Sequence, residues 1–302
     1  MKKIILLLIV LLTTSCTNND INNLAIINEI AIDYNGIYKV YMKVLESDEK
    51  YEIYKEEGTT IDECFSNLNN KINKKIYLTH LEVLALSNTL SEKNYSEIFN
   101  FFMKQESSRN SFDTIIVDKI DKNLFDFETK DIENLLRLSI TTTGLVNQKT
   151  LDEIIKDILN FNISYIPYID LTNKEVKGYK SIYEVNKLMT KEESIAINFI
   201  FNKIDSIALL IDNKNYKLEN CNTINDVKDN TIKINISCNM EGEEKNKEIV
   251  KSYLEEITND YINNNNKNYF NYLGNKFNVK NYKIKPSIKI ELIKTDTGDY
   301  FE

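Results

Sequence analysis

The chain opens with Lys2 and Lys3, nine apolar residues over 4–12, and then Thr13, Thr14, Ser15 and Cys16. Basic, apolar and small residues in that order make a secretion signal. A spanning helix needs about 20 apolar residues to cross ~30 Å of hydrocarbon, so this run is too short to remain as an anchor and residues 1–15 are expected to be removed. Whatever folds must be built after Cys16, outside the cytoplasm, and Cys16 itself is the expected acceptor of a diacylglyceryl group. Burial of an acyl chain contributes about 0.8 kcal/mol per CH₂, and two chains hold where one is marginal. Thr13 stands where such signals usually carry Leu, with Leu12 one place further back.

The rest of the 302-residue chain is long enough for two domains. Hydrophobic residues at 42% and charged residues at 28% describe a globular body, not a disordered one. The formal charge of −8 becomes more negative once Lys2 and Lys3 leave. An acidic chain without a basic run is a poor nucleic-acid binder, and it gains little from anionic lipid, so a covalent anchor is the more useful attachment. With Cys16 modified, Cys64, Cys221 and Cys238 remain. Cys64 falls on an apolar helix face, where a thiol behaves as a small hydrophobe. Cys221 and Cys238 are able to pair, but nothing else suggests a disulfide framework, so the unpaired reading is preferred and pairing stays as the alternative. No CxxC or Cys/His spacing supports a metal, and no cofactor motif is present.

Residues 17–23 are polar and read as a tether. Strands are expected over 24–33 and 37–44, the second alternating Tyr38, Val40, Met42 and Val44 against Lys39 and Lys43, with Asn35-Gly36 as the hairpin turn. Thr60 and Glu63 make a capping box for a helix carrying Ile61, Cys64, Phe65, Leu68 and Ile72 along one stripe. A strand over 76–86, a helix over 94–104, a short strand over 114–117, and helices over 129–139 and 151–160 follow. The last of these opens on a second box, Thr150 and Glu153. Residues 165–169 extend around Pro167. The polar stretch 170–177 with Gly178 is the boundary candidate, near residue 175.

Beyond it, strands are expected over 179–183, 207–211, 232–238 and 284–293, and helices over 190–202 and 245–262. The box Thr190/Glu193 opens the first of those helices, Asn263 to Asn266 form a loop, and Pro286 suits an edge strand. The fold class is therefore α+β, with mixed and antiparallel sheets packed with helices in at least two domains. The division reads as signal 1–15, lipidated tether 16–23, an N-terminal α+β domain 24–175 and a C-terminal α+β domain 176–302.

Catalytic chemistry has little to build on. His80 is the lone histidine and is expected mid-strand, with a ring nitrogen hydrogen-bonded inside the sheet. The carboxylates Glu192 and Glu193, and Glu241, Glu243 and Glu244, are explained by the preference of helix N-termini for negative charge. Tyr165, Tyr168, Tyr179 and Tyr183 are assigned to core and interdomain packing, with a ligand groove at the boundary as the alternative. No GxGxxG, P-loop, GxSxG or HExxH occurs, and no catalytic, cofactor-binding or metal-binding residue is assigned.

Taken in order, these segments resemble the Ger(x)C spore germination lipoproteins, the C subunits of bacterial germinant receptors. Leu24-Ala-Ile-Ile-Asn-Glu-Ile-Ala-Ile-Asp33 is similar to the family's first strand after the lipid cysteine, with Glu29 and Ala31 where two glycines are usual. Gly58-Thr-Thr-Ile-Asp-Glu-Cys-Phe65 resembles its first helix start, and Tyr77-Leu-Thr-His-Leu-Glu-Val-Leu84 its "Y-x-G-H-L-x-V-L", with Thr79 in place of Gly. Pro167, Lys187-Leu-Met189 with Glu193, Gly242-Glu-Glu244 and the stretch 268–298 continue the series.

The resemblance implies a non-enzymatic subunit of a nutrient germinant receptor, held through acylated Cys16 on the outer face of the inner spore membrane. Its implied partners are the membrane-embedded A and B receptor subunits. A solute-binding lipoprotein of a membrane importer shares the signal and the anchor and is the competing reading. It usually has two lobes with parallel sheets, an alternation this chain lacks.

Overall fold

The structure, a computed structural model, describes residues 23–293 apart from 48–49, 106, 127–128, 184–185, 265–269, 272 and 275–281. The signal, Cys16 and most of the tether lie outside the described residues. Two sheets organise the chain, in agreement with the α+β expectation. The first runs in the order β3-β2-β1-β5-β6-β7-β8-β9, with β4 also paired to β1. Its strands are β1 (Leu24–Tyr34), β2 (Tyr38–Ser47), β3 (Lys50–Gly58), β4 (Lys75–Tyr77), β5 (Val83–Ser87), β6 (Asp113–Val117), β7 (Ser164–Asp170), β8 (Glu175–Ile182) and β9 (Lys187–Leu188).

The centre, β1-β5-β6-β7, is parallel, and antiparallel hairpins flank it on both sides. Parallel strands are covered on both faces, which explains why every residue of β5, Val-Leu-Ala-Leu-Ser, is buried. One face packs against α1 (Ile61–Ile72), α2 (Glu92–Lys104) and α5 (Leu151–Phe161), joining Ile32, Leu84 and Ile166 to Leu68, Phe102 and Ile154.

The opposite face takes α4 (Thr129–Leu138), which follows the short α3 (Lys122–Phe125), and α6 (Lys191–Ile200). The same apolar cluster continues into the second sheet, which runs β10 (Ile207–Ile211), β11 (Lys214–Lys228), β12 (Thr231–Glu241), β13 (Lys283–Ile293). β12 and β13 are parallel and so require a crossover, supplied by α7 (Glu244–Asn264). Helix α6 is buried from Ser194 through Ile200, and its two polar members there, Ser194 and Asn198, are hydrogen-bonded.

Caps follow the sequence closely. Thr150/Glu153 and Thr190/Glu193 are reciprocal boxes, whereas Glu63 reaches one residue past Thr60 to the backbone N–H of Thr59 at 2.7 Å. A further box, Ser91 with Asn94, starts α2 two residues before the expected point. As expected, β13 is an edge strand and carries Pro286.

Three expectations are corrected. Residues 76–86 are not one strand. β1 has a bulge between Ile27 and Glu29; β4 pairs below it with 24–26, and β5 pairs above it with 29–32. The intervening chain is longer than the β1 segment it passes, so it folds into a turn closed by Leu81 N–H to Leu78 O at 3.1 Å. His80 lies on that turn and is exposed, not held inside the sheet.

Cys221 and Cys238 are joined in a disulfide. They meet across β11 and β12 where β11 bulges between Glu219 and Asn222. Strands β3 and β11 had no expectation attached to them. The turn near residue 175 joins β7 to β8, strands of one sheet, so the first sheet continues to Leu188 and the second begins at Ile207.

Candidate functional site

A cavity of about 550 Å³ lies between α5, α6 and β11, where the two sheets come together. Helix α5 brings Phe161 to it, and the end of α6 brings Phe201. Tyr165 of β7 and Tyr179 of β8 close it from the first sheet. Both tyrosines are buried, as packing requires. Tyr179 accepts a hydrogen bond from Asn147 N–H at 2.7 Å and donates to Asn198 Oδ1 at 2.8 Å, while burial pushes its phenol well above the ordinary range. Asn198 in turn donates to the carbonyls of Gly144 and Leu145 at 2.8 and 3.1 Å, so that side chain is engaged in holding the π-helical turn after α4 in place. Tyr165 shares a 2.8 Å hydroxyl contact with Tyr261 of α7.

The rim is charged. Lys149 pairs with Asp157 at 2.5 Å, and Ser164 Oγ donates to the same carboxylate at 3.2 Å. Lys203 lies 4.0 Å from Glu153, whose other oxygen caps α5. Tyr168 and Tyr183, the other members of the aromatic series, lie against the opposite face of the first sheet; Tyr183 shares a 2.8 Å hydroxyl contact with Ser96. The cavity thus collects two of the four tyrosines singled out in the sequence and separates the other two.

Among the described residues that line the cavity there is no Ser, Cys or His. Glu192 and Glu193 occupy the first turn of α6, and Glu244 opens α7, in accord with the dipole argument, whereas Glu241 ends β12. Among the described residues, no three His, Cys, Asp or Glu side chains converge as a metal ion would need. Nor is any described helix long and apolar enough to cross a membrane. The sequence had no signal for Phe161, Phe201 or Asn225 as neighbours, because they come from two helices and a strand that only the tertiary fold brings together.

A second polar group is built into the first sheet. Lys43 Nζ lies 3.3 Å from Glu29 Oε1, both nearly excluded from solvent. Burial raises the Glu29 carboxyl to about 7, against the attraction of Lys43. On the α2 side, Tyr38 donates a short hydrogen bond to Glu97 and accepts one from Asn94 Nδ2 at 2.9 Å.

The sequence profile of the family described as "Spore germination protein N-terminal domain" matches residues 17–171, just over half of the chain. The chain belongs to this family. The crystal structure of the GerBC protein superposes on this germination protein with a TM-score of 0.50 at 13% identity, covering 88% of this chain and 97% of that one. At that identity the likeness speaks for the fold. Among curated proteins none matches the sequence. The profile ends at residue 171, just before β8, while the GerBC likeness, at 88% of the chain, extends beyond that point.

Proposed function

We propose that this germination protein is the lipid-anchored, non-catalytic C subunit of a nutrient germinant receptor, seated on the outer face of the inner spore membrane beside integral membrane A and B subunits. The observation that carries this reading is the position of the family match, which begins at residue 17, immediately after Cys16. That cysteine stands at the junction between a removable signal and the first residue of the matched domain, where a diacylglyceryl cysteine would become the mature N-terminus. Leu24 starts β1 eight residues later. At ~3.3–3.6 Å per extended residue, the first sheet is then held within about 30 Å of the lipid attachment. A tether of at most that length keeps the body near membrane partners.

Co-purification from spore membranes is the test. The subunit is expected to come down with A and B subunits, and a deletion is expected to abolish the response to the nutrient that the receptor serves. Metabolic palmitate labelling should mark the wild-type chain and not Cys16→Ala. Recovery only from vegetative cells, free of both subunits, would sink the assignment.

A further inference from the structure

We propose that the cavity between α5, α6 and β11 binds a small molecule with an aromatic or branched aliphatic body, one carboxylate and one hydroxyl or amino donor. The volume of about 550 Å³ lies within the ~300–1,000 Å³ of small-molecule sites, which are mostly apolar with a few placed polar groups. The apolar part is aromatic. Phe201 has its ring 6.5 Å from that of Phe161 and 6.3 Å from that of Tyr165, an arrangement that presents ring faces and edges to a flat or branched body. Ile224 of β11 also lines the cavity and is 59% exposed.

Charge selects the head group. Of the three lysines at the rim, Lys149 is matched by Asp157 and Lys203 approaches Glu153. Lys156 is exposed and has no carboxylate within ion-pair distance among the described residues. One positive charge is left over beside an apolar cavity, which complements a single carboxylate. Asn225, on the β11 side, has a buried Oδ1 without a hydrogen-bond partner. A buried acceptor of this kind is satisfied by a donor on the ligand. The site goes beyond the proposed receptor role and does not depend on it, since its test needs no membrane partner.

The test is isothermal titration calorimetry of the purified full chain with 4-hydroxyphenylacetate, with tyramine as the probe of similar body and opposite charge. One-to-one saturable binding of 4-hydroxyphenylacetate is expected, with tyramine at least tenfold weaker. Lys156→Glu and, separately, Ile224→Glu each change an exposed side chain, and each is expected to weaken the carboxylate at least tenfold while the circular dichroism spectrum stays that of the wild type. Absence of saturable binding, equal affinity for tyramine, or wild-type affinity in both variants would overturn the proposal.

Discussion

Glu29 of β1 and Lys43 of β2 face each other across an antiparallel register, 3.3 Å apart, with only 2% and 8% of their surfaces exposed. The bulge between Ile27 and Glu29 creates this relationship. It shifts the alternation so that Ala25, Ile27, Ile30 and Ile32 all reach the same core, and it turns Glu29 to the other face beside Ala31. An ion pair in that setting is costly to bury, and Glu29 Oε2 has no hydrogen-bond partner of its own. Desolvation therefore dominates the attraction of Lys43, and the carboxyl holds its proton to about pH 7.

The folded protein binds that proton more tightly than the unfolded chain does, so the stability linked to Glu29 is greatest at acid pH. It falls as pH rises from about 4.5 to 7, by on the order of 3 kcal/mol. Asp113, raised by burial to about 6, acts in the same direction, so the comparison must be with a variant. Urea unfolding midpoints across this range should decline less in Glu29→Gln than in the wild type. Parallel profiles would show that Glu29 titrates normally.

The disulfide between Cys221 and Cys238 closes a loop of 17 residues in sequence. Closure of a loop near this length contributes about 3 kcal/mol when the constraint on the unfolded chain dominates. Reductant should therefore lower the unfolding free energy by roughly that amount in the wild type and leave the double variant Cys221→Ser/Cys238→Ser unchanged. Cys64 is buried and unpaired, its thiol pushed up to about 11 by burial, and Cys64→Ala should keep the full response to reductant.

Gly178 has φ +134°, and a Cβ there would sit 2.7 Å from Ser194 Oγ. That hydroxyl accepts a hydrogen bond from Tyr179 N–H and donates one to Thr190 O, which fixes α6 against β8. Gly178→Ala is expected to cost about 2 kcal/mol or more, from backbone strain and close contact together. Adding Ser194→Gly should recover part of the contact and none of the backbone strain, and a double-mutant cycle by chemical denaturation measures the share. Additive costs would mean that the glycine is required for its φ alone.

Gly178 also shows where sequence reading reached its limit. A glycine after a polar stretch reads as a linker, yet it serves a close approach of helix to strand inside one sheet. What depends on neighbours in sequence was legible: the helix stripe through Ile61, Cys64 and Leu68, the boxes at Thr150 and Thr190, and the hairpin at Asn35-Gly36. What depends on pairing was not. Strand β11 is rich in Asn and Lys and is buried on one side only at Tyr216, Leu218 and Cys221, so alternation is weak until β12 is beside it. The chain around His80 alternates like a strand, but its partner β1 spends a residue on a bulge that no local pattern reveals. Of the cavity assembled from α5, α6 and β11, only Tyr165 and Tyr179 could be singled out in the sequence.

Tyr165 of β7 and Tyr261 of α7 share a hydroxyl contact of 2.8 Å in the buried interior, beside Leu254 and Ile257. Replacing either tyrosine with Phe removes one hydroxyl and leaves the other without this partner, at a cost of about 1–3 kcal/mol. Replacing both removes the need for the contact. The double variant Tyr165→Phe/Tyr261→Phe should therefore be less destabilised than the sum of the single changes, a coupling on the order of 1 kcal/mol that urea unfolding of the four proteins can resolve. Strict additivity would mean that each hydroxyl is satisfied elsewhere, and the tie would then contribute nothing to holding α7 on the first sheet.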